Sequence, residues 1–509
     1  MAITSLLISC LAIAGEPPKR TLTVAKDTTY ISGPLRADGV VDYETALNVL
    51  NGLARPEENA AAALATLAGP SITDPVVAAT FFRQLGVAQP AQDGRYLIGH
   101  NDFLIERGNR RSSGAEEPLE TAMKEPWSPP KYPALAELLA RNAPLLDDLA
   151  GASKRPAFVY PLLSGRDPPF LLSVQLGPAQ SARAGGQLLA LRAMTRLDQH
   201  DIRGALADLD AVRRWGILVG SGKRFLIEGL VSNRLYLTAM LAERSVAFSL
   251  LATPELLDAR AKLLETEPPP FDVRTSLNEV ERLSVLSIAA YSIVYGLDRA
   301  AFGGEERKGR LEPLAEMLRR SEFDADESLR VINRFYDRAA KAIQSADSLK
   351  GTGELALMGR ELAKHRRERE ERDKTFFLFR DAPKLPRGPA AANGEEFGLL
   401  CLEFFAPSMD MALVDGVKAR VHQRLTVLAY ALSAYRRRHG DYPASLDAAT
   451  LGLKSATIQD PFTGRDFVYR TENKKRQVIC AWSDGVVGPY PRGGRLKPMP
   501  PDDVILELP

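Results

Sequence analysis

The chain has 509 residues, 45% of them apolar, with 66 basic against 64 acidic side chains and three cysteines. That length allows two to four domains at about 100–200 residues each, and the apolar share suffices for buried cores. A formal net charge of +2 excludes global capture of nucleic acid or anionic membrane, three cysteines exclude a disulfide scaffold, and five scattered histidines leave little for a zinc site.

The first element is an uncharged apolar run, Ile3 to Ala14, ending in Ala12-Ile13-Ala14. It is too short to span ~30 Å of hydrocarbon as a helix. It has the length of a signal-peptide core with small residues for cleavage. Leu7-Ile8-Ser9-Cys10 also resembles a bacterial lipobox, which would place a lipid on Cys10. No Lys or Arg precedes the run, which keeps open a buried first helix of a cytoplasmic protein. The expectation is export, with 1–20 as a signal peptide or N-terminal anchor. Two later apolar stretches, Phe225 to Ala242 and Leu283 to Leu297, read as core helices; the first carries Glu228, Asn233 and Arg234, which are expensive in lipid.

A helical domain is expected over 21–379. Asp42 caps a helix to about Leu53, Pro56-Glu57-Glu58 opens an Ala-rich helix stopped by Gly69-Pro70, and Asp74-Pro75 opens another stopped by Gly86. Residues 106–133, rich in Arg, Gly, Ser, Pro and Glu, read as a long surface loop before a helix around Leu135–Leu149. Leu188, Leu191, Met194 and Leu197 form one apolar stripe, and Ile202, Leu206, Leu209 and Val212 another after a turn at Gln199-His200-Asp201. The two make a helix hairpin that resembles one of tetratricopeptide type, without a second copy. Thr253-Pro254-Glu255 starts a further helix, and Leu329, Ile332, Tyr336, Ala339 and Ile343 mark another. Residues 361–374 suit an exposed charged helix.

Residues 380–396, with three Pro and two Gly, are the expected linker to a C-terminal module over 397–509. In that module Val417, Val421, Leu425, Leu428, Leu432 and Tyr435 share one face of a long helix that Gly440 ends, with Lys418, Arg420 and Arg424 pointing elsewhere. Strands are expected around 466–470 and 477–482, and the helix stripe is expected to cover them. The fold class is therefore mainly α, a multi-helical body with a small α+β module.

Chemistry-bearing patterns are sparse. Gly220-Ser221-Gly222-Lys223-Arg224 lacks the spacing and the Ser or Thr of a phosphate loop and reads as a connector. Glu228, Asn233 and Arg234, with Glu279, Glu281 and Arg282, are polar residues inside apolar helices. They pair across helices, since a buried charge must find a partner, or they line a groove with shifted acid/base groups. His200, His365, His422 and His439 lack ligand spacing and read as surface residues. Cys401 and Cys480 could pair in an exported chain, though nothing in their spacing requires it. No cofactor, metal or catalytic residue is expected.

Leu428-Ala-Tyr-Ala-Leu-Ser-Ala-Tyr435 through Gly440-Asp-Tyr-Pro443 to Asp460-Pro-Phe-Thr-Gly464 resembles the soluble part of the major pseudopilins of type II secretion. Similar tails occur on envelope proteins of planctomycete-type bacteria, which Thr28-Thr-Tyr-Ile-Ser-Gly-Pro-Leu and Pro56-Glu-Glu-Asn also resemble. The resemblance implies a long helix, a Tyr-Pro loop and a small antiparallel sheet. Here the module is internal, and Ser483-Asp484-Gly485 continues without a second acid nearby, two departures from the family pattern that weigh against pilus assembly and calcium binding. The expected role is an exported interaction or scaffold protein of the envelope, with protein partners, no nucleic acid, and membrane contact only through an uncleaved or lipidated N-terminus. The alternatives are a hydrolase using carboxylates among Glu228, Glu279 and Glu281, and a secretion-machinery subunit.

Overall fold

The computed structural model describes residues 20–108, 116–296, 324–344, 348–378, 390–472, 475–480 and 504–509. Residues 1–19 of the expected leader and 380–389 of the expected linker lie outside these residues. The protein is mainly α with a small antiparallel sheet near its C-terminus.

Local signals set the first helices. The Asp42 carboxylate accepts from Thr45 N at 3.0 Å and starts α1 (Tyr43–Asn51). Asn59 caps α2 (Ala60–Ala68), and Gly86, in the left-handed region at φ 75°, ends α3 (Ala78–Leu85). The segment expected as loop from 106 to 133 carries α5 (Glu116–Ala122), after α4 (His100–Glu106) and ahead of α6 (Pro133–Ala152). Its Leu119 and Met123 are buried, so tertiary packing overrode the polar composition.

The centre is the expected hairpin, α7 (Gly177–Asp198) against α8 (Ile202–Val219), with both apolar stripes directed inward. Asp201 caps the second helix through Gly204 N at 2.8 Å. The glycine-rich connector then leads into α9 (Leu226–Phe248), followed by α10 (Pro254–Glu265), which Thr253 caps. Gly216 lets α8 approach α9, because a Cβ there would lie 3.0 Å from Tyr236 N. A turn of α-helix (Val273–Thr275), a π-helical segment (Ser276–Glu281) and α11 (Arg282–Tyr295) run on without a break. Beyond them come α12 (Ala325–Gln344), the largely exposed α13 (Ser348–Leu378), α14 (Ala390–Phe405) and α15 (Met409–His439).

The C-terminal part departs from expectation in three ways. First, α14 begins inside the segment expected to be a linker, where a run of alanines favours helix. Second, the described residues of 397–509 share the core of the helical body: one continuous apolar core reaches from Val41 to Leu508, and α15 lies along α9 and α10. Its stripe, Val417 to Leu432, is buried mainly in that helical interface, not beneath the strands. Arg424 is not idle either, since it donates to Gln459 O at 2.5 Å. Third, β1 (Val468–Glu472) and β2 (Lys475–Cys480) gain an unforeseen partner, β3 (Val504–Leu508), in the antiparallel order β1-β2-β3. Tyr469, Val478 and Leu506 pair across the sheet as one row. A third strand relieves the marginality of a lone hairpin.

Together 393–439 form, among the described residues, the one helical stretch long and apolar enough to cross a membrane by length and composition. Of its most apolar window, 44% is buried inside the protein. Cys401, on α14, is a buried free thiol, which sets aside a Cys401–Cys480 bridge.

Candidate functional site

Two of the six candidate polar residues meet at the start of α9. Glu228 is wholly buried, and its carboxylate accepts from Phe225 N at 3.0 Å and from the Tyr160 hydroxyl at 2.5 Å. Glu281, from the π-helical segment, accepts from Leu226 N at 2.7 Å. Both carboxylates thus take backbone N–H groups that the first turn leaves unpaired, at the positive end of the helix dipole. Arg224 lies 3.7 Å from Glu228, with its guanidinium over the Phe158 and Tyr160 rings. Burial pushes the Glu228 carboxyl upward, with Arg224 and the two hydrogen bonds opposing it. Burial, aided by the Glu228 charge, pushes Glu281 up to about 7. Two carboxyls displaced in this way can serve acid/base chemistry. They can equally be caps enclosed by the fold.

The other four candidates lie elsewhere. Glu279 pairs with Lys223 on the connector. Asn233 donates to Asp415 Oδ2 on α15 at 2.9 Å. Arg234 is half exposed and pairs with Glu120 on α5. Arg282 donates to Asp337 at 2.7 Å and to Asn278 at 2.9 Å. The expectation of cross-helix pairing describes Asn233, Arg234 and Arg282; a single groove holding all six is not what the fold builds.

Arg282 does, however, line a cleft of about 410 Å³. Three distant parts of the chain make it: Lys26, Asp27 and Tyr30 from an N-terminal strap, Arg282 from the start of α11, and Arg330, Asn333, Arg334 and Asp337 from α12. Asn333 Nδ2 fastens the strap by donating to Asp27 O at 3.1 Å and Thr28 O at 2.6 Å, and Arg330 Nε reaches Asp27 at 2.9 Å. Neither Glu228 nor Glu281 lines this cleft.

Two clusters escaped sequence analysis. Glu243 on α9 is buried and takes both Arg260 of α10 and the Tyr430 hydroxyl of α15. Arg260 also meets Asp210 at 2.7 Å, which Arg213 shares at 2.8 Å, and Arg213 continues to Glu267. This chain of charges ties α8, α9, α10 and α15 together. Glu243 stands in the same apolar helix as Glu228, so the rule that a buried charge needs a partner applied to it equally. The second cluster joins α13 to α14: His365 lies 3.5 Å from Glu396 and 2.5 Å from Glu403, which Arg369 also meets at 2.9 Å. Glu396 and Glu403 hold this imidazole up to about 9. His422 moves oppositely, to about 3, through burial and Arg244, whose Nη2 lies 3.0 Å from its Nδ1. These two histidines are therefore not the surface residues expected. Among the described residues, no group of three or more His, Cys, Asp or Glu could hold a metal ion.

Comparison with known proteins gives no family: no family model matches the chain, and neither a curated protein nor a solved structure does.

Proposed function

We propose that the chain is a non-enzymatic interaction or scaffold protein, exported to the cell envelope, whose partners are proteins. The observation that carries this reading is an exposed apolar group at the end of α1, where Val49, Leu50 and Leu53 are 70%, 47% and 85% exposed. Three such side chains within five residues are a contact surface in the making, whereas scattered ones need no explanation. The buried charge chain supports it too, because it fixes four helices in one arrangement and so presents a stable surface. Fractionation of native cells, then native mass spectrometry of the chain, tests the proposal. Recovery from the envelope with a second protein bound is the expected result; a cytoplasmic monomer overturns it.

A second reading, carboxylate-dependent hydrolysis, has one observation in its favour: Glu228 and Glu281 lie together and both are displaced upward. Against it, both are enclosed and both accept backbone N–H groups. Retaining and inverting glycosidases need two carboxyls flanking an accessible bond.

A further inference from the structure

We propose that the cleft between the N-terminal strap and α12 is a binding site for a small molecule bearing phosphate or carboxylate groups, a reading independent of the scaffold role. Its lining holds four cationic side chains against two carboxylates. Asp337 answers Arg282 and Asp27 answers Arg330, at 2.7 and 2.9 Å. Glu327 and Asp326, outside the lining, reach Arg330, and Glu327 also meets Arg334 at 2.7 Å. Lys26 makes no ion pair among the described residues, and its ammonium rests 3.4 Å from the Tyr30 ring centroid.

The floor carries unused hydrogen-bonding capacity. The Arg282 side chain is 1% exposed, and its Nε has no acceptor among the described residues. Beside it the Asn333 side chain is buried, with its Oδ1 likewise unpartnered among the described residues. Native proteins rarely leave buried polar atoms unpaired, and a ligand is one of the things that completes them. Tyr30 adds a third sign. It is a non-glycine residue in the left-handed region at φ 66°, and its ring lies under both Lys26 and Arg282, the latter at 4.1 Å. Such backbone is sparsely populated and collects at ligand sites. Two cations drawn to one ring concentrate positive charge at this end of the cleft, which favours an anion there. Exposed Lys26 and Arg334 stand at the mouth, so they can be altered without disturbing the core.

The test is isothermal titration calorimetry of the full chain with inorganic phosphate and with succinate, at matched ionic strength, for wild type, Lys26→Met and Arg334→Gln. We expect saturable one-to-one binding of at least one probe, weakened about tenfold by each substitution, with the melting temperature of the unliganded variants unchanged. The better probe names the anionic group of the ligand. Absence of saturable binding of both probes up to about 10 mM overturns the proposal. So does binding that both variants retain at full strength, since the anion would then sit elsewhere.

Discussion

Replacing Glu243 by Gln interrogates the charge chain that holds α15 in the helical body. The carboxylate is fully buried and forks onto Arg260 through Nε at 3.0 Å and through Nη2, while Tyr430 donates to the same carboxylate. Removing one partner of a buried ion pair costs about 3–5 kcal/mol, because the other charge stays enclosed. Asp210 remains 2.7 Å from Arg260, and the amide keeps one oxygen for Tyr430. The cost should therefore fall at the lower end, about 3 kcal/mol. Hydrogen exchange is the assay, since a loss of that size raises opening-limited exchange about 100-fold in α15, while α2 should change least. A double replacement, Glu243→Met with Arg260→Met, removes both charges and should sit closer to wild type than the single variant. If Glu243→Gln leaves α15 exchange within threefold of wild type, the chain of charges does not hold that helix, and the reasoning fails.

Further predictions follow from the same geometry. Because the folded pKa of His365 is raised to about 9, its contribution to the α13–α14 contact is complete below about 6.5 and is lost as pH rises through about 9. His365→Gln should flatten exchange in α13 across pH 7–10. Glu281 moves stability in the same direction: a carboxyl raised from 4.5 to about 7 makes stability fall as pH rises across that window, by about 3 kcal/mol. Glu281→Gln keeps an acceptor for Leu226 N, so denaturant titration at pH 8 should show it more stable than wild type; equal or lower stability would contradict the upward displacement of this carboxyl. Leu428→Asp places an unpaired carboxylate at a fully buried position between helices and should unfold the C-terminal half, read by loss of near-ultraviolet dichroism. N-terminal sequencing of the native chain should begin after residue 14, or find the first residues lipidated; an intact Met1 from a cytoplasmic fraction refutes export.

Much of the fold was legible because it is written in short-range signals. Asp42 and Thr253 cap the helices they were expected to start, and Gly86 and Gly440 end theirs in the left-handed region. The α7–α8 hairpin follows from two stripes of 3.6-residue period. What was not legible depends on partners far away in sequence. The α15 stripe announces an apolar face, yet nothing in it says whether strands or α9 and α10 will cover that face. β3 is a five-residue strand paired to a segment well upstream, beyond the reach of local pattern. The site shows the same division. Glu228 and Glu281 stood out as charges in apolar helices, but the cleft needs Lys26 and Tyr30 brought against Arg282 and Asn333 across some 250 residues of chain.

The central claim, that this is an exported protein acting through contact with other proteins, is tested most directly by one crosslinking measurement. A photoreactive amino acid at position 53 would be irradiated in native cells, which are then fractionated. The account predicts a discrete covalent adduct with one protein in the envelope fraction, lost when Val49 and Leu50 are replaced by Asp. Recovery of the uncrosslinked chain from the cytoplasm, with no adduct from position 53, would contradict it.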